Sequence, residues 1–249
     1  MKIVVIGGSG FIGSKLVREL RGLGHDVIAA SQTSGLNKAT GNELAEILKN
    51  TQVVIDVANA PSMEDQAILE FFQTSGHNLL AAETRAGVKH HIILSLVGVE
   101  RMQGSGYFKA KMAQEDLVKD SEIPYTILQA TQFFEMVRGI AQSAMAGGTI
   151  HISNAKVQPV ASDDVAAVIT EISVGMPLNI TVQIAGPERF QLDELVRIFL
   201  NETNDPRELI TDKYALYFGV EIDDEALIPG EKARIGKIRF IDWLHKQDE

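Results

Sequence analysis

The sequence predicts an α/β chain in which a parallel sheet is covered by helices on both faces. Three observations predict it. Short apolar runs alternate with segments of helical period. A glycine cluster joins the first apolar run to the first helix. The chain has 249 residues, of which 45% are hydrophobic and 22% charged, so it buries a core without staples, and it has no cysteine to form them.

The elements follow in order. Lys2–Ile6 reads as a buried strand. A helix comes next with Ile12, Leu16, Leu20 and Leu23 on one face, and Gly24 stops it. Val27–Ser31 is a second strand, and a weak strand is expected near Leu36–Thr40. Asn42 caps a short helix over Glu43–Lys49. Val53–Val57 is a strand, Glu64–Ala86 a long helix ended by Gly87, and His91–Ser95 a strand. Tyr107–Lys119 is a helix and Tyr125–Gln129 a strand. Strands alternating with helices of this length form a doubly wound parallel sheet. Beyond Gln129 the pattern loosens. Gly147-Gly148 marks a turn, a helix runs from Ser162 or Asp163 to Val174, Ile180–Ala185 is strand-like, and Gln191–Leu200 is helical. The expected organisation is a single domain over residues 1–249, with residues from about 147 forming a small C-terminal substrate lobe.

Lys plus Arg total 23 and Asp plus Glu total 33, a formal charge of −10 with the histidines neutral. A chain this acidic repels nucleic acid, so none is expected as a partner. No apolar run reaches the ~18–20 residues of a membrane helix. The first thirteen residues are too short and glycine-rich for a signal peptide, so a cytoplasmic location is expected. His90-His91 precedes a strand, where neighbours face opposite ways, and no third ligand is near. The acidic run Glu221–Glu225 lacks the glycine and spacing of a calcium loop. No metal is expected.

The strongest motif is Gly7-Gly8-Ser9-Gly10-Phe11-Ile12-Gly13, placed between a strand and a helix. Gly7 permits the tight turn, Gly10 lets the backbone approach a pyrophosphate, and Gly13 lets the helix pack on the sheet. The helix start favours an anion there. The turn after the second strand chooses between the two dinucleotides. NAD sites carry an acid there for the ribose 2′-hydroxyl. Here the turn is Ser31-Gln32-Thr33-Ser34, and no carboxylate occurs between Asp26 and Glu43. The turn favours NADP, with NAD as the alternative. Ala58 and Asn59, just past the third strand, are also expected at the cofactor.

Ser95 ends a strand, and Tyr107 and Lys111 lie four apart on a helix, one turn apart on one face. An ammonium beside a phenol lowers the phenol's pKa from about 10. Such a phenol suits a general acid that protonates a carbonyl oxygen as hydride arrives. Lys111 is also placed at the nicotinamide ribose, and Ser95 at the substrate oxygen. Lys109 faces elsewhere. Ala130, Phe133 and Phe134 follow a strand's carboxyl end, where substrates sit in parallel sheets.

With these residues the chain resembles the short-chain dehydrogenase/reductase superfamily, in its atypical, NmrA-like NAD(P)-binding branch. The glycine loop, Ser95, Tyr107, Lys111, Glu115, the strand Tyr125–Gln129 followed by Phe133-Phe134-Glu135, Val157–Val160, Asp163–Ala166 and Ala185–Glu188 carry the likeness. It implies a Rossmann core and a small C-terminal lobe. It also implies a phosphate loop at Gly7, Gly10 and Gly13, a proton donor at Tyr107 and a ribose-binding lysine at Lys111. Two departures stand out: Gln32 replaces a frequent Arg, and Thr40-Gly41 replaces a frequent Asp near the adenine. The expected function is an NADP(H)-preferring oxidoreductase on a small carbonyl, enone or quinone-like substrate. The rival is a dinucleotide-sensing regulatory protein without catalysis. The Ser95, Tyr107 and Lys111 set favours the enzyme, because a sensor needs no proton donor. The only partner expected is a small-molecule substrate; nothing in the sequence sets an oligomeric state.

Overall fold

A computed structural model describes residues 1–30, 41–62 and 64–246. Twelve strands and eight α-helices lie in this range. In chain order they are β1 (Lys2–Ile6), α1 (Phe11–Gly22), β2 (Asp26–Ala30), α2 (Gly41–Leu48), β3 (Val53–Asp56), α3 (Asp65–Ala86), β4 (His90–Leu96), α4 (Gly106–Lys119) and β5 (Tyr125–Ala130). Then come α5 (Val137–Ser143), β6 (Met145–Ala146), β7 (Thr149–Ile152), β8 (Lys156–Val157), α6 (Ser162–Val174) and β9 (Thr181–Ala185). The chain ends with β10 (Phe190–Gln191), α7 (Leu192–Glu202), β11 (Leu209–Thr211), β12 (Arg234–Ile235) and α8 (Phe240–His245).

Seven strands form one sheet in the order β12-β9-β5-β4-β3-β1-β2. The β1–β2, β1–β3, β3–β4 and β9–β12 pairs are parallel. This is the doubly wound α/β architecture that the alternation of strands and helices predicts. The strand order reverses at β1, which lies between β2 and β3. Open parallel sheets bind ligands beyond the carboxyl ends of their strands at such a switch point.

The chain divides into two compact units. The first holds residues 1–95, 109–128 and 166–182. Its core forms because strand side chains alternate between faces. Val4 and Val54 face Leu44 and Leu48 of α2 and Leu79 and Ala82 of α3. Ile93 and Ile127 meet Leu80 of α3 and Val118 of α4. Helix α1 buries Ile12, Leu16, Val17 and Leu20. Leu23 leaves the expected stripe: α1 ends at Gly22, so Leu23 falls beyond the last helical turn and is 60% exposed. Gly24 then turns the chain at φ +82°. Helix α2 begins at Gly41, one residue before its expected cap. The weak strand expected at Leu36–Thr40 lies outside the described residues.

The second unit holds residues 96–108, 129–165 and 183–249. Its strands are short. β6 and β7 form an antiparallel pair, β11 joins β7 in parallel, and β8 pairs antiparallel with β10. An aromatic cluster fills its centre, with Phe134 edge-on to Phe240 and Trp243 stacked on Phe240.

Candidate functional site

The glycine turn is held by its own backbone. The N–H groups of Gly7 and Gly8 both donate to the Ala30 carbonyl, at 2.7 and 3.2 Å, and Gly10 N–H donates to the Gly7 carbonyl at 2.8 Å. Gly7 lies at φ +80°, and a Cβ on it would stand 2.8 Å from the Ala58 nitrogen. A Cβ on Gly13 would fall 2.1 Å from the Gly7 carbonyl oxygen. Backbone therefore touches backbone where β1, α1 and the end of β3 meet. Gly10 caps α1 with extended backbone and no side chain, and the first turn of α1 carries no acid. The leading N–H groups of a helix lack intrahelical acceptors and form the positive end of its dipole. Ser9, Gly10 and Phe11 are exposed at that end, while Ile12 and Gly13 are buried. Ala58 is half-buried and Asn59 exposed, and Asp56 Oδ1 accepts the Ala58 N–H at 3.0 Å. This helix start, with no acid in its first turn, fits a dinucleotide pyrophosphate. Ser31, Gln32 and Thr33 lie outside the described residues.

Two more candidates belong to the same unit. Ser95, near the end of β4, is buried, and its hydroxyl has no hydrogen-bond partner among the described residues. An unpartnered buried hydroxyl costs about 1–3 kcal/mol, which a ligand oxygen would relieve. Lys111 is only 4% exposed. Its ammonium donates to the Leu94 carbonyl at 2.8 Å and to Gln114 Oε1 at 2.5 Å, and stands 4.9 Å from the centre of the Phe72 ring. Burial pulls its pKa down to about 8, against the opposing charges of Asp56 and Glu115. Sequence reasoning missed Asp56 and Gln114. The available signal was a carboxylate at the end of an otherwise apolar strand.

The remaining candidates belong to the second unit. Tyr107 stands in the first turn of α4, half-buried, with its ring edge-on to Phe108. Its four-residue spacing from Lys111 on one helix is kept, and Lys109 is exposed. Tyr217 is buried. Burial pushes its phenol well up, Gln132 pulls against this by hydrogen bonding, and Tyr107 is near enough to add to the rise. Ala130 is buried at the end of β5, and Phe133 is half-buried. Phe134 is 1% exposed and packs on Phe240 and Trp243, so its ring serves the core and Phe133 is the more open of the two. Gln132 Oε1 and Glu135 Oε2 are buried without partners among the described residues.

The adjacent histidines part as a pleated strand requires. His91 Nδ1 meets both oxygens of Glu83 at 2.9 Å, and His90 Nε2 meets the Thr126 hydroxyl at 2.9 Å. Among the described residues no group of three or more acids or histidines is arranged to hold a metal ion. No helix among them is long and apolar enough to cross a membrane.

A glycine turn at the switch point of a doubly wound parallel sheet defines a dinucleotide-binding Rossmann protein. Residues 7–173 match the NAD(P)H-binding family, and the chain belongs to that family. Its fold neighbours lie among the atypical short-chain dehydrogenases/reductases and related NAD(P)-binding Rossmann proteins. It is similar to the photosystem II assembly factor Ycf39 of a Synechocystis species, 24% identical over 56% of this chain and 47% of that one. It is also similar to the chloroplastic divinyl chlorophyllide a 8-vinyl-reductase of rice (Oryza sativa subsp. indica), 26% identical over 74% of this chain and 54% of that one. The chain thus spans about half the length of these two relatives. In fold it is similar to dTDP-4-dehydrorhamnose reductase from Bacillus anthracis in complex with NADP. The TM-score is 0.73 at 13% identity, over 99% of this chain and 98% of that one. Other solved structures of this fold carry NAD.

Proposed function

We propose that this NAD(P)-binding protein of an oxidoreductase family is a reductase that prefers NADP(H) and acts on a small carbonyl, enone or quinone-like molecule. The observation that carries the reading is the glycine turn closed on Ala58 at the switch point. Gly7, Ser9, Gly10, Phe11, Ile12, Gly13, Ala58 and Asn59 hold the dinucleotide, and Ser31, Gln32 and Thr33 receive its 2′-phosphate. The bound dinucleotide supplies a hydride. Tyr107 gives the proton to the substrate oxygen, Lys111 meets the nicotinamide ribose, and Ser95 fixes the substrate through its unpartnered hydroxyl. Ala130 and Phe133 line the substrate, and Phe134 backs them from the core. Similarity to a vinyl reductase supports reduction as the reaction type.

NADPH oxidation with a panel of quinones, enones and aldehydes tests this. Tyr107→Phe should lower turnover by ~10²–10⁴, the usual worth of a positioned acid, with NADPH binding kept. Lys109→Ala, on an exposed position, should change neither. Intact turnover in Tyr107→Phe would overturn the proton-donor role. The second reading, a dinucleotide-regulated assembly or regulatory protein, draws on the similarity to Ycf39. Under it no substrate in the panel is turned over, while NADPH binds and changes capture of a partner.

A further inference from the structure

Gln114 is fully buried, and the proposed reaction gives it no part. Its side chain is held at both ends. Nε2 donates to Asp56 Oδ2 at 3.0 Å, and Oε1 accepts from the Lys111 ammonium at 2.5 Å. The other Asp56 oxygen accepts the Ala58 N–H at 3.0 Å. A single carboxylate thus fixes the turn after β3 and, through one amide, the lysine of α4.

The residue types suit the task. An amide accepts from an ammonium through its oxygen and donates to a carboxylate through its nitrogen, across one side chain. Leucine of similar size does neither. Glutamate accepts from the lysine but sets a second acid against Asp56. A buried ammonium is costly unless its hydrogen bonds are met, and a partner removed from it is lost at full desolvation cost.

We propose that Asp56 and Gln114 are positioning residues that hold the Lys111 ammonium and the Ala58 turn in one register for the dinucleotide. This rests on the reading that Lys111 meets the nicotinamide ribose. The groups facing Lys111 are Asp56 from β3, the Leu94 carbonyl from β4, the Phe72 ring from α3, and Gln114 and Glu115 from its own helix, with Glu115 also bonded to Lys119. The charge of Asp56 in turn acts on the buried Glu83 and His91, and Asp56, His91 and Gln114 line a small cavity. Burial already brings Lys111 to a pKa of about 8, so its charge is lost readily when a partner goes.

The test is NADPH affinity, by fluorescence titration of the full chain from about pH 6 to about pH 10. In the unaltered protein Kd should rise about tenfold per pH unit above the lysine's pKa. Gln114→Leu and Asp56→Asn should move that rise to lower pH by about one unit, which weakens affinity about fivefold at pH 8 and about tenfold from pH 9 upward. Gln114→Glu keeps the shape, places an anion beside the ammonium, and should move the rise to higher pH. Should Gln114→Leu fail to fold, the opposite shift in Gln114→Glu decides alone. A rise that stays in place in Gln114→Glu and Asp56→Asn overturns the positioning role. Lys111→Met separates the two ideas. If it leaves NADPH affinity intact at every pH, the ribose assignment falls and takes the positioning with it. If it weakens binding while the other variants leave the rise in place, only the positioning falls.

Discussion

His90 and His91 are adjacent, buried, and opposite in behaviour. Burial, then the charge of His91, pulls His90 down to a pKa of about 4. The unfolded chain takes up that proton near the ordinary value of about 6.5, so between these values the unfolded state binds more protons. The contribution of His90 to stability is therefore whole above about pH 6.5 and falls as pH drops toward 4, by on the order of 3 kcal/mol. Urea unfolding at intervals across this range should show a steeper acid decline in the unaltered chain than in His90→Gln; parallel curves would refute it. His91 goes the other way. Burial alone would lower its pKa, but the charge and hydrogen bond of Glu83, with Asp56, hold it above the ordinary value. Breaking such a buried pair leaves one uncompensated polar group. Glu83→Ala or His91→Ala should each cost about 3–5 kcal/mol, and replacing both with Leu should cost much less than the two together. Denaturant midpoints of the three variants check this.

At the scale of elements, the turn between β1 and α1 was legible because its cause is local. Glycines at 7 and 13 record a positive φ and a close approach, both fixed within a few residues. Gly13→Ala should destabilise by about 1–3 kcal/mol or more and abolish dinucleotide binding, because the added Cβ meets backbone that cannot step aside. Gly139→Ala, inside α5 with nothing within 4 Å of the added carbon, should instead gain about 0.5–1 kcal/mol. Equal effects at the two positions, by urea unfolding, would contradict the packing role of Gly13. Elsewhere local signals fell short. Leu23 fits the helical stripe in the sequence, yet the helix ends one residue earlier and leaves it in solvent. Asp56 reads as one polar letter at the end of an apolar strand. Its partner Gln114 lies 58 residues on, and no spacing rule connects them.

At the scale of the molecule, six strands of the seven-stranded sheet could be read because each carries its own period, while the two-residue β12 could not. The short strands of the second unit carry none. Leu209 pairs with Ile150 and Phe190 with Val157, contacts of two to three residues between distant stretches. Tyr217 and Gln132 were hidden for the same reason, since only the folded unit sets Gln132 and Tyr107 near Tyr217. The proposed dinucleotide preference, by contrast, rests on the sequence alone. No acid stands between Asp26 and Glu43, so no carboxylate there repels a 2′-phosphate or grips a 2′-hydroxyl. A ligand that binds only the folded state stabilises the chain in proportion to the logarithm of its concentration over Kd. If NADPH binds about tenfold tighter than NADH, equal saturating concentrations should differ by about 1.4 kcal/mol in stability. For a chain of this length that corresponds to roughly 3–6 °C in Tm. Gln32→Arg adds a planar fork for the phosphate, so it should widen the NADPH shift and leave the NADH shift nearly unchanged. Thermal unfolding with each dinucleotide decides the matter: a larger shift with NADH refutes the preference, and a Gln32→Arg variant that gains nothing with NADPH places the 2′-phosphate away from this turn.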